Sequence, residues 1–316
     1  MKCRLKNHIA SVLTTFSLSI LLFGCFEESE LEKLQKESDQ QIADYLEANS
    51  IQALESNFGL FYEVLTENQD GEIPAAGDVL VVKYEMKKLD GTIIASEVSD
   101  STLLRFESSN IAPDGVIYGL DVLKKGETIR FYLPSYVAFG SYHPEDHAFD
   151  EYENFIFDME LIDILSEEEI NVIEINAINE YINENQITDM IESTSGLYFK
   201  SLTPGVGELA QPFDEVSIHF TRKYLDGTVI QKTGINNPLV VTLNQGQLVE
   251  GFGQGILNMN AGETALMIMP SNLAFGASVQ VFPEFMREQL YDDRYINNLV
   301  APYSPVIYEV QLIEIN

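Results

Sequence analysis

The chain has 316 residues, of which 45% are hydrophobic and 22% are charged, so it is long enough for about two ordinary domains. Its 50 acidic residues outnumber its 18 basic residues, and the formal net charge of -32 excludes nucleic-acid binding because a polyanion is repelled over the whole surface. The only cysteines are Cys3 and Cys25, so a chain that begins at residue 25 has neither a disulfide nor a thiolate metal site.

The amino-terminal segment has the features of a secretion signal. Three basic residues precede an apolar stretch over 9–23 that is too short for a stable membrane span. The stretch ends in Leu22-Phe23-Gly24-Cys25, which resembles the lipobox of bacterial lipoproteins. We therefore expect residues 1–24 to be a signal peptide and Cys25 to be acylated, which would hold the protein on a lipid bilayer without spanning it. The alternative is a plain signal peptide with an incidental cysteine.

The rest of the sequence contains one pattern twice, displaced by 136 positions. Asp90-Gly91 recurs as Asp226-Gly227, and Ala138-Phe139-Gly140 recurs as Ala274-Phe275-Gly276. A period this long indicates a duplicated domain, because solenoid repeats have periods of about 20 to 50 residues.

Each copy opens with a predicted amphipathic helix. In the first, within an acidic segment over 25–57, Ile42, Tyr45 and Leu46 fall at positions i, i+3 and i+4. In the second, over 166–194, Ser166 and Glu169 have the spacing of a capping box. Three interpretations stay open: a solvated spacer, a dimerisation surface and a cover on the domain, of which the spacer is the simplest.

A β-rich region follows each helix, over 58–165 and 195–316. The strand-like runs 79–84 and 216–220 each lead to an Asp-Gly turn, and one short glycine-flanked helix interrupts the strands of each copy. This order predicts an α+β fold in which a twisted antiparallel β-sheet wraps around a short α-helix.

The order of the motifs resembles the FKBP-type peptidyl-prolyl isomerases. The resemblance covers about 59–164 and 195–315 and includes the V-x-V-x-Y strand, the D-G turn, the glycine-flanked helix, the G-E pair, P-x-x-L-A-[YF]-G and a closing aromatic strand. It implies two FKBP-like domains that rotate X-Pro bonds without a cofactor. The uncatalysed barrier is about 18–20 kcal/mol because amide resonance must be broken, and an apolar pocket that favours the twisted amide lowers it.

In the second copy the resemblance implies a complete apolar pocket. Val249 would donate its backbone N–H to the substrate carbonyl, and Phe252 stands where the family often has a tryptophan at the pocket floor. Phe275 replaces a hydrogen-bonding tyrosine, and Gln231 replaces an aspartate. Ordinary core packing is the alternative interpretation. The implied pocket residues are Phe220, Ile230, Leu239, Leu248, Val249, Phe252, Phe275 and Tyr308.

The first copy departs further from the family. Pro113 stands at the position of the donor and has no backbone N–H, and Val116 is a small residue for a pocket floor. We interpret this domain as degenerate, either a weak peptide-binding surface or a structural spacer. The pocket residues that remain are Tyr84, Ile94, Leu103, Phe139 and Phe157.

Two loops are longer or more polar than the family pattern. The stretch 277–299 of the second copy is a helical flap over the pocket, a partner surface, or a segment that packs onto the sheet; its apolar residues are Phe282, Phe285, Met286, Leu290 and Tyr291. The first copy has an acidic loop that contains His143 and His147. We interpret it as solvated and predict no metal site.

These observations predict a lipid-anchored isomerase and folding helper for exported proteins, on the periplasmic face of an outer membrane or at the cell surface. Its partners would be proline-containing segments, and its second domain would carry most of the activity. The alternative is a non-catalytic peptide-binding chaperone or assembly factor of an envelope complex. Tandem lipoproteins of this kind also resemble prolyl isomerases linked to gliding motility, although no residue here indicates that pathway.

Overall fold

The computed structural model describes residues 29–145, 148–244 and 246–316. The predicted signal segment and Cys25 therefore lie outside the described residues, as does His147 of the acidic loop. No helix in the described part is both long enough and apolar enough to cross a membrane.

The first copy contains a six-stranded sheet in which all pairs are antiparallel, in the order β1-β2-β6-β7-β3-β4. A long helix precedes the sheet and a short helix interrupts it. The elements are α1 (Glu30–Ala48), β1 (Leu54–Glu55), β2 (Phe61–Thr66), β3 (Val79–Lys88), β4 (Ile93–Arg105), β5 (Ile111–Ala112), α2 (Val116–Leu120), β6 (Thr128–Leu133) and β7 (Phe155–Leu165).

The second copy repeats this topology. Its sheet has the order β11-β10-β15-β13-β9-β8, and β12 also pairs with β10. The elements are α3 (Glu167–Glu184), β8 (Ile191–Glu192), β9 (Tyr198–Thr203), β10 (Glu215–Lys223), β11 (Val229–Lys232), β12 (Leu239–Thr242), α4 (Glu250–Ile256), β13 (Thr264–Met269), β14 (Gln280–Val281), α5 (Arg287–Asp292) and β15 (Val306–Ile315). The predicted α+β class, with antiparallel sheets and few helices, is confirmed.

The inner face of each sheet packs on its short helix. On β3 the residues at every second position, Leu80, Val82, Tyr84 and Met86, are buried, as expected for a strand with one face in the core. They contact the same core as the buried Val116 of α2. Full burial of such side chains stabilises a fold by about 1.5–3 kcal/mol each.

The helices α1 and α3 cover the outer faces of the two sheets. In the first copy Ile42 and Leu46 pack against Tyr132 and Ile156, and in the second copy Ile178 takes part in the equivalent cluster. The simplest interpretation of these segments, a solvated spacer, is therefore wrong, and the cover is correct. The physical reason is that the outer sheet face also carries large apolar side chains, which the helix stripe removes from water.

Repeat-equivalent residues fix each cover to its domain. The backbone N–H of Ser135 donates to Ser38 Oγ at 3.0 Å, and the N–H of Ser271 donates to Glu174 Oε2 at 2.7 Å. Ser38 and Glu174 are separated by the repeat displacement, so the two helices lie on their sheets in the same register.

Glu174 makes the stability of the second cover depend on pH. Burial raises the pKa of its carboxyl above the ordinary 4.5, although the hydrogen bonds from Ser271 act in the opposite direction. Its other oxygen, Oε1, is sealed from solvent and has no partner among the described residues. As the pH rises above the unfolded value, the unfolded carboxyl loses its proton before the folded one does, so the free energy of unfolding falls.

We therefore expect Glu174→Gln to gain stability relative to the unmodified protein as the pH is raised from about 4 to 7. Urea unfolding, followed by circular dichroism at both pH values, measures the difference. Glu180→Gln is the matched control, since it removes the same charge from an exposed position of α3. Parallel pH profiles for all three proteins would contradict the expected role of Glu174.

Candidate functional site

Three aromatic rings form a cluster in the second copy. Phe252 of α4 stacks on Tyr308 of β15 with ring centroids 4.3 Å apart and planes 16° from parallel. Phe220 of β10 lies 5.7 Å from each ring. Phe252 and Tyr308 are buried, whereas Phe220 is half-buried, so the cluster reaches the surface at Phe220.

Four further predicted residues pack against the same cluster. Ile230 comes from β11, Leu248 and Val249 precede α4, and Phe275 follows the 3₁₀ turn after β13. All four are half-buried. Leu239 of β12 is half-buried but does not pack against this cluster. The fold thus brings seven of the eight predicted residues together.

Val249 occupies the N-cap position of α4, with φ -60° and ψ 147°. Its carbonyl accepts a hydrogen bond from the N–H of Gly253 at 3.0 Å. The first N–H groups of a helix have no intrahelical acceptor, so the N–H of Val249 is not consumed by the helix itself. Val249 packs against the aromatic cluster, and the donor role that the family resemblance implies stays a prediction.

Arg222 is a site residue that sequence reasoning missed. Its guanidinium carbon lies 4.4 Å from the ring centroid of Phe275, 5.1 Å from that of Tyr308 and 5.7 Å from that of Phe220. Its Nε donates to Tyr308 Oη at 2.8 Å. Burial raises the pKa of the Tyr308 hydroxyl, against the lowering effect of the Arg222 charge. The sequence does contain a signal for Arg222. Residues two apart on a strand share a face, so residue 222 lies on the same face as the predicted pocket residue Phe220.

In the first copy the predicted pocket residues are packed into the core. Tyr84, Phe139 and Phe157 are buried and Ile94 packs against them, within one apolar cluster. Two of these rings, Tyr84 and Phe157, have centroids 6.4 Å apart.

Leu103 does not belong to that cluster, so its assignment to the first pocket is wrong. It packs instead with Val79, Ile170 and Tyr303. In the second copy Leu239 pairs with Ile218, whereas the repeat equivalent of Ile218, Val82, pairs with Thr102. The counterpart of Leu239 is thus shifted by one residue, and a shift of one places Leu103 on the opposite face of the strand.

The space in the first pocket is filled by Phe282, which belongs to the 277–299 stretch of the second copy. Phe282 is 0% exposed, and its ring meets Tyr84 edge-on with centroids 4.8 Å apart. It lies 6.3 Å from Phe157. The backbone N–H of Phe282 donates to the carbonyl of Ala112 at 2.7 Å. A ring from one copy therefore occupies the aromatic pocket of the other.

Backbone pairing holds this stretch in place. β14 runs parallel to β5, with Gln280 opposite Ile111 and Val281 opposite Ala112. The N–H of Glu284 donates to Tyr84 Oη at 3.4 Å. Further along, three apolar residues of the stretch are buried in the core of the first copy, namely Met286, Leu290 and Ile296. A flap over the second pocket is thus the wrong interpretation of 277–299.

The two copies differ in the exposure of equivalent positions. Phe220 and Phe275 are half-buried at the second site, whereas the equivalent Tyr84 and Phe139 are buried at the first. The cause is the inserted segment, which covers the first pocket and leaves the second open.

The sequence pattern of the FKBP-type peptidyl-prolyl cis-trans isomerases matches residues 71–162 and 207–313. The two matches together span more than half of the chain. The chain belongs to this family. The FKBP-type isomerases are an enzyme class, and both repeats carry the domain that defines it.

Curated relatives belong to the same family. The FKBP-type 22 kDa peptidyl-prolyl cis-trans isomerase of Escherichia coli strain K12 is 27% identical over 137 residues, which are 43% of this chain and 58% of the relative. The probable FKBP-type peptidyl-prolyl cis-trans isomerase FkpA of Neisseria meningitidis serogroup B is 27% identical over 136 residues, which are 43% of this chain and 44% of the relative. The chain thus spans about half the length of these relatives.

Solved structures of FKBP domains are also similar. FkpA from Escherichia coli is 26% identical, with a TM-score of 0.35, over 42% of this chain and 62% of that chain. The three FKBP domains of wheat FKBP73 are 23% identical, with a TM-score of 0.33, over 82% of this chain and 96% of that chain.

The acidic loop of the first FKBP domain gives no sign of a metal centre in the part that the structure describes. No group of three or more histidine, cysteine or acidic residues with metal-binding geometry is found among the described residues. His143 Nδ1 lies 3.6 Å from Glu151 Oε1. Because His147 lies outside the described residues, the interpretation of this loop stays a prediction.

Proposed function

We propose that the protein acts on proline-containing segments of exported polypeptides as an isomerase and folding helper, and that its second FKBP domain carries the activity. The observation behind this proposal is the difference between the two pockets. In the second, Phe220 and Phe275 of the aromatic cluster are half-buried, and the first is filled by Phe282 of the same chain. The first domain then serves as the support to which the second is fastened.

The proposed mechanism is differential binding. A planar X-Pro amide is polar and well solvated, and a twisted amide is less polar, so an apolar concavity favours the twisted form. Phe252 and Tyr308 would contact the proline ring, and the N–H of Val249 would donate to the carbonyl that rotates. No nucleophile, general base or cofactor takes part in this scheme.

Attachment to a bilayer through acylated Cys25 is the second part of the proposal. The apolar stretch before Cys25 and the lipobox-like ending support it. The proposed location is the periplasmic face of an outer membrane or the cell surface. Mass spectrometry of the membrane fraction is expected to find a diacylated Cys25, and an unmodified protein in the soluble fraction would contradict the anchor.

A non-catalytic peptide-binding chaperone or assembly factor is the second candidate. One observation favours it: the Arg222 guanidinium lies over three of the pocket rings, which places a charge beside the apolar surface that the catalytic scheme relies on. The family tyrosine and aspartate are also replaced by Phe275 and Gln231, which leaves fewer polar groups to orient a substrate.

A refolding reaction limited by prolyl isomerisation distinguishes the isomerase from the non-catalytic chaperone. We expect the protein to accelerate the slow phase at substoichiometric concentration, and Ile230→Ala to reduce that acceleration about fivefold, a change of about 1 kcal/mol. Val229→Ala is the matched control, because this neighbour on β11 is 50% exposed and lies outside the cluster. An unchanged slow phase at stoichiometric concentration would reject the enzyme and leave the chaperone.

A further inference from the structure

The guanidinium of Arg222 is held in a defined position at the second pocket. Three aromatic rings lie within 6 Å of it, and its Nε is bonded to Tyr308 Oη. Stacking on aromatic faces and a hydrogen bond to a buried hydroxyl restrict a side chain that would otherwise be mobile. The charge is thus part of the pocket wall.

Like the exposed Arg294, Arg222 has no carboxylate within salt-bridge distance among the described residues. Arg105, Arg130 and Arg287 each lie within salt-bridge distance of a carboxylate. Among the described residues, no such pair involves Arg222.

The terminal nitrogens of Arg222 remain available for a ligand. The residue is half-buried. Buried polar side-chain atoms without a hydrogen-bond partner occur at a few described residues, and Arg222 is not one of them. A guanidinium has five N–H donors, of which the bond to Tyr308 uses one. The two terminal nitrogens present a planar fork that matches both oxygens of a carboxylate.

The charge belongs to the second copy alone. The repeat equivalent of Arg222 is Met86, which is fully buried in the core of the first copy. The two domains therefore share the fold of this strand but differ by one positive charge at the pocket.

We propose that Arg222 makes the second pocket selective for segments in which a carboxylate lies next to the proline. The carboxylate is either the side chain of an acidic residue before the proline or the free end of a chain that terminates in proline. This inference rests on the proposed function, since it names the substrate class of the same pocket. Because the net charge of the chain repels acidic segments, a local cation is needed to hold one.

Matched peptides test the selection. Two peptides differ only in Glu or Gln before a central proline, and a second pair ends in proline with a free or an amidated carboxyl. Exchange spectroscopy gives the isomerisation rate for each, and calorimetry gives its Kd. With the unmodified protein we expect the Glu peptide or the free-carboxyl peptide to bind about fivefold more tightly than its neutral partner. The pair that shows the difference tells whether the carboxylate is an acidic side chain or a chain end.

Arg222→Met copies the first domain and is expected to remove the preference, so that the charged and neutral peptides of each pair bind with equal Kd. Arg222→Lys, which keeps the charge without the fork, should retain only part of the preference. Arg294→Met is the control, because this exposed arginine lies outside the pocket. Equal binding of charged and neutral peptides, or a preference that survives in Arg222→Met, would overturn the inference. Binding with selection but without any rate enhancement would instead reject the catalytic function and keep the selection.

Discussion

Replacing Phe282 by alanine is expected to lower the free energy of unfolding by about 3–5 kcal/mol, the usual cost of truncating a fully buried phenylalanine. The ring is 0% exposed and touches Tyr84 and Phe157 of the other copy. Its loss would leave a cavity in the first domain and weaken the packing of the 277–299 stretch against that domain. Urea unfolding measures the change, followed by circular dichroism because the chain has no tryptophan.

Phe285→Ala provides the matched control. This residue lies three positions further along the same segment, and 51% of its surface is exposed. Its truncation should change the free energy of unfolding by less than about 0.5 kcal/mol. Equal effects of the two substitutions would show that the segment does not depend on the contact with the first pocket.

The packing of Phe282 bears on the residue at the pocket floor of the first copy, which differs from that of the second. In the second domain the pocket floor is Phe252, which stacks on Tyr308. In the first domain the equivalent floor is Val116, and Phe282 approaches the equivalent of Tyr308, namely Phe157. Val116 and Phe282 belong to the same buried cluster. The first pocket therefore holds a ring of the second copy.

Most of the fold was predictable because its signals are local. The strand-like run over 79–84 and the Ser166-x-x-Glu169 capping box depend on residues close together in the chain, and the displacement of 136 is found by comparing the sequence with itself. The surface against which α1 and α3 pack was not predictable. An apolar stripe indicates that one face is buried, but the partner surface depends on the outer face of a sheet assembled from distant strands.

The site residues were predictable where the two copies keep the same strand register. The prediction failed where the register changes or where a distant segment contributes a residue. Leu103 was misassigned because a constant displacement hides the change of register next to Val82. Phe282 was recognised as apolar, but its contact with Tyr84 joins residues about 200 positions apart, as the Glu284 N–H bond to Tyr84 also does. Arg222 was missed because the family resemblance directs attention to aromatic and aliphatic positions only.

Val249→Pro is expected to reduce about tenfold the isomerase activity that we propose for the second domain, which corresponds to about 1.4 kcal/mol of transition-state stabilisation. Proline removes the N–H that is proposed to bind the substrate carbonyl, and it is the residue found at the equivalent position 113. The backbone accepts it, since φ at Val249 is -60°, close to the value that the proline ring imposes. The refolding assay and the exchange spectroscopy both measure the loss.

The reciprocal variant Pro113→Val separates the donor from the pocket. It restores an N–H in the first domain, yet we expect no gain in activity, because Phe282 still fills the space that a substrate would need.

Circular dichroism and urea unfolding should find Val249→Pro folded, since the carbonyl that accepts from Gly253 is retained. Full activity in a folded Val249→Pro protein would mean that the backbone donor contributes nothing, and that apolar burial over Phe252 and Tyr308 alone favours the twisted amide.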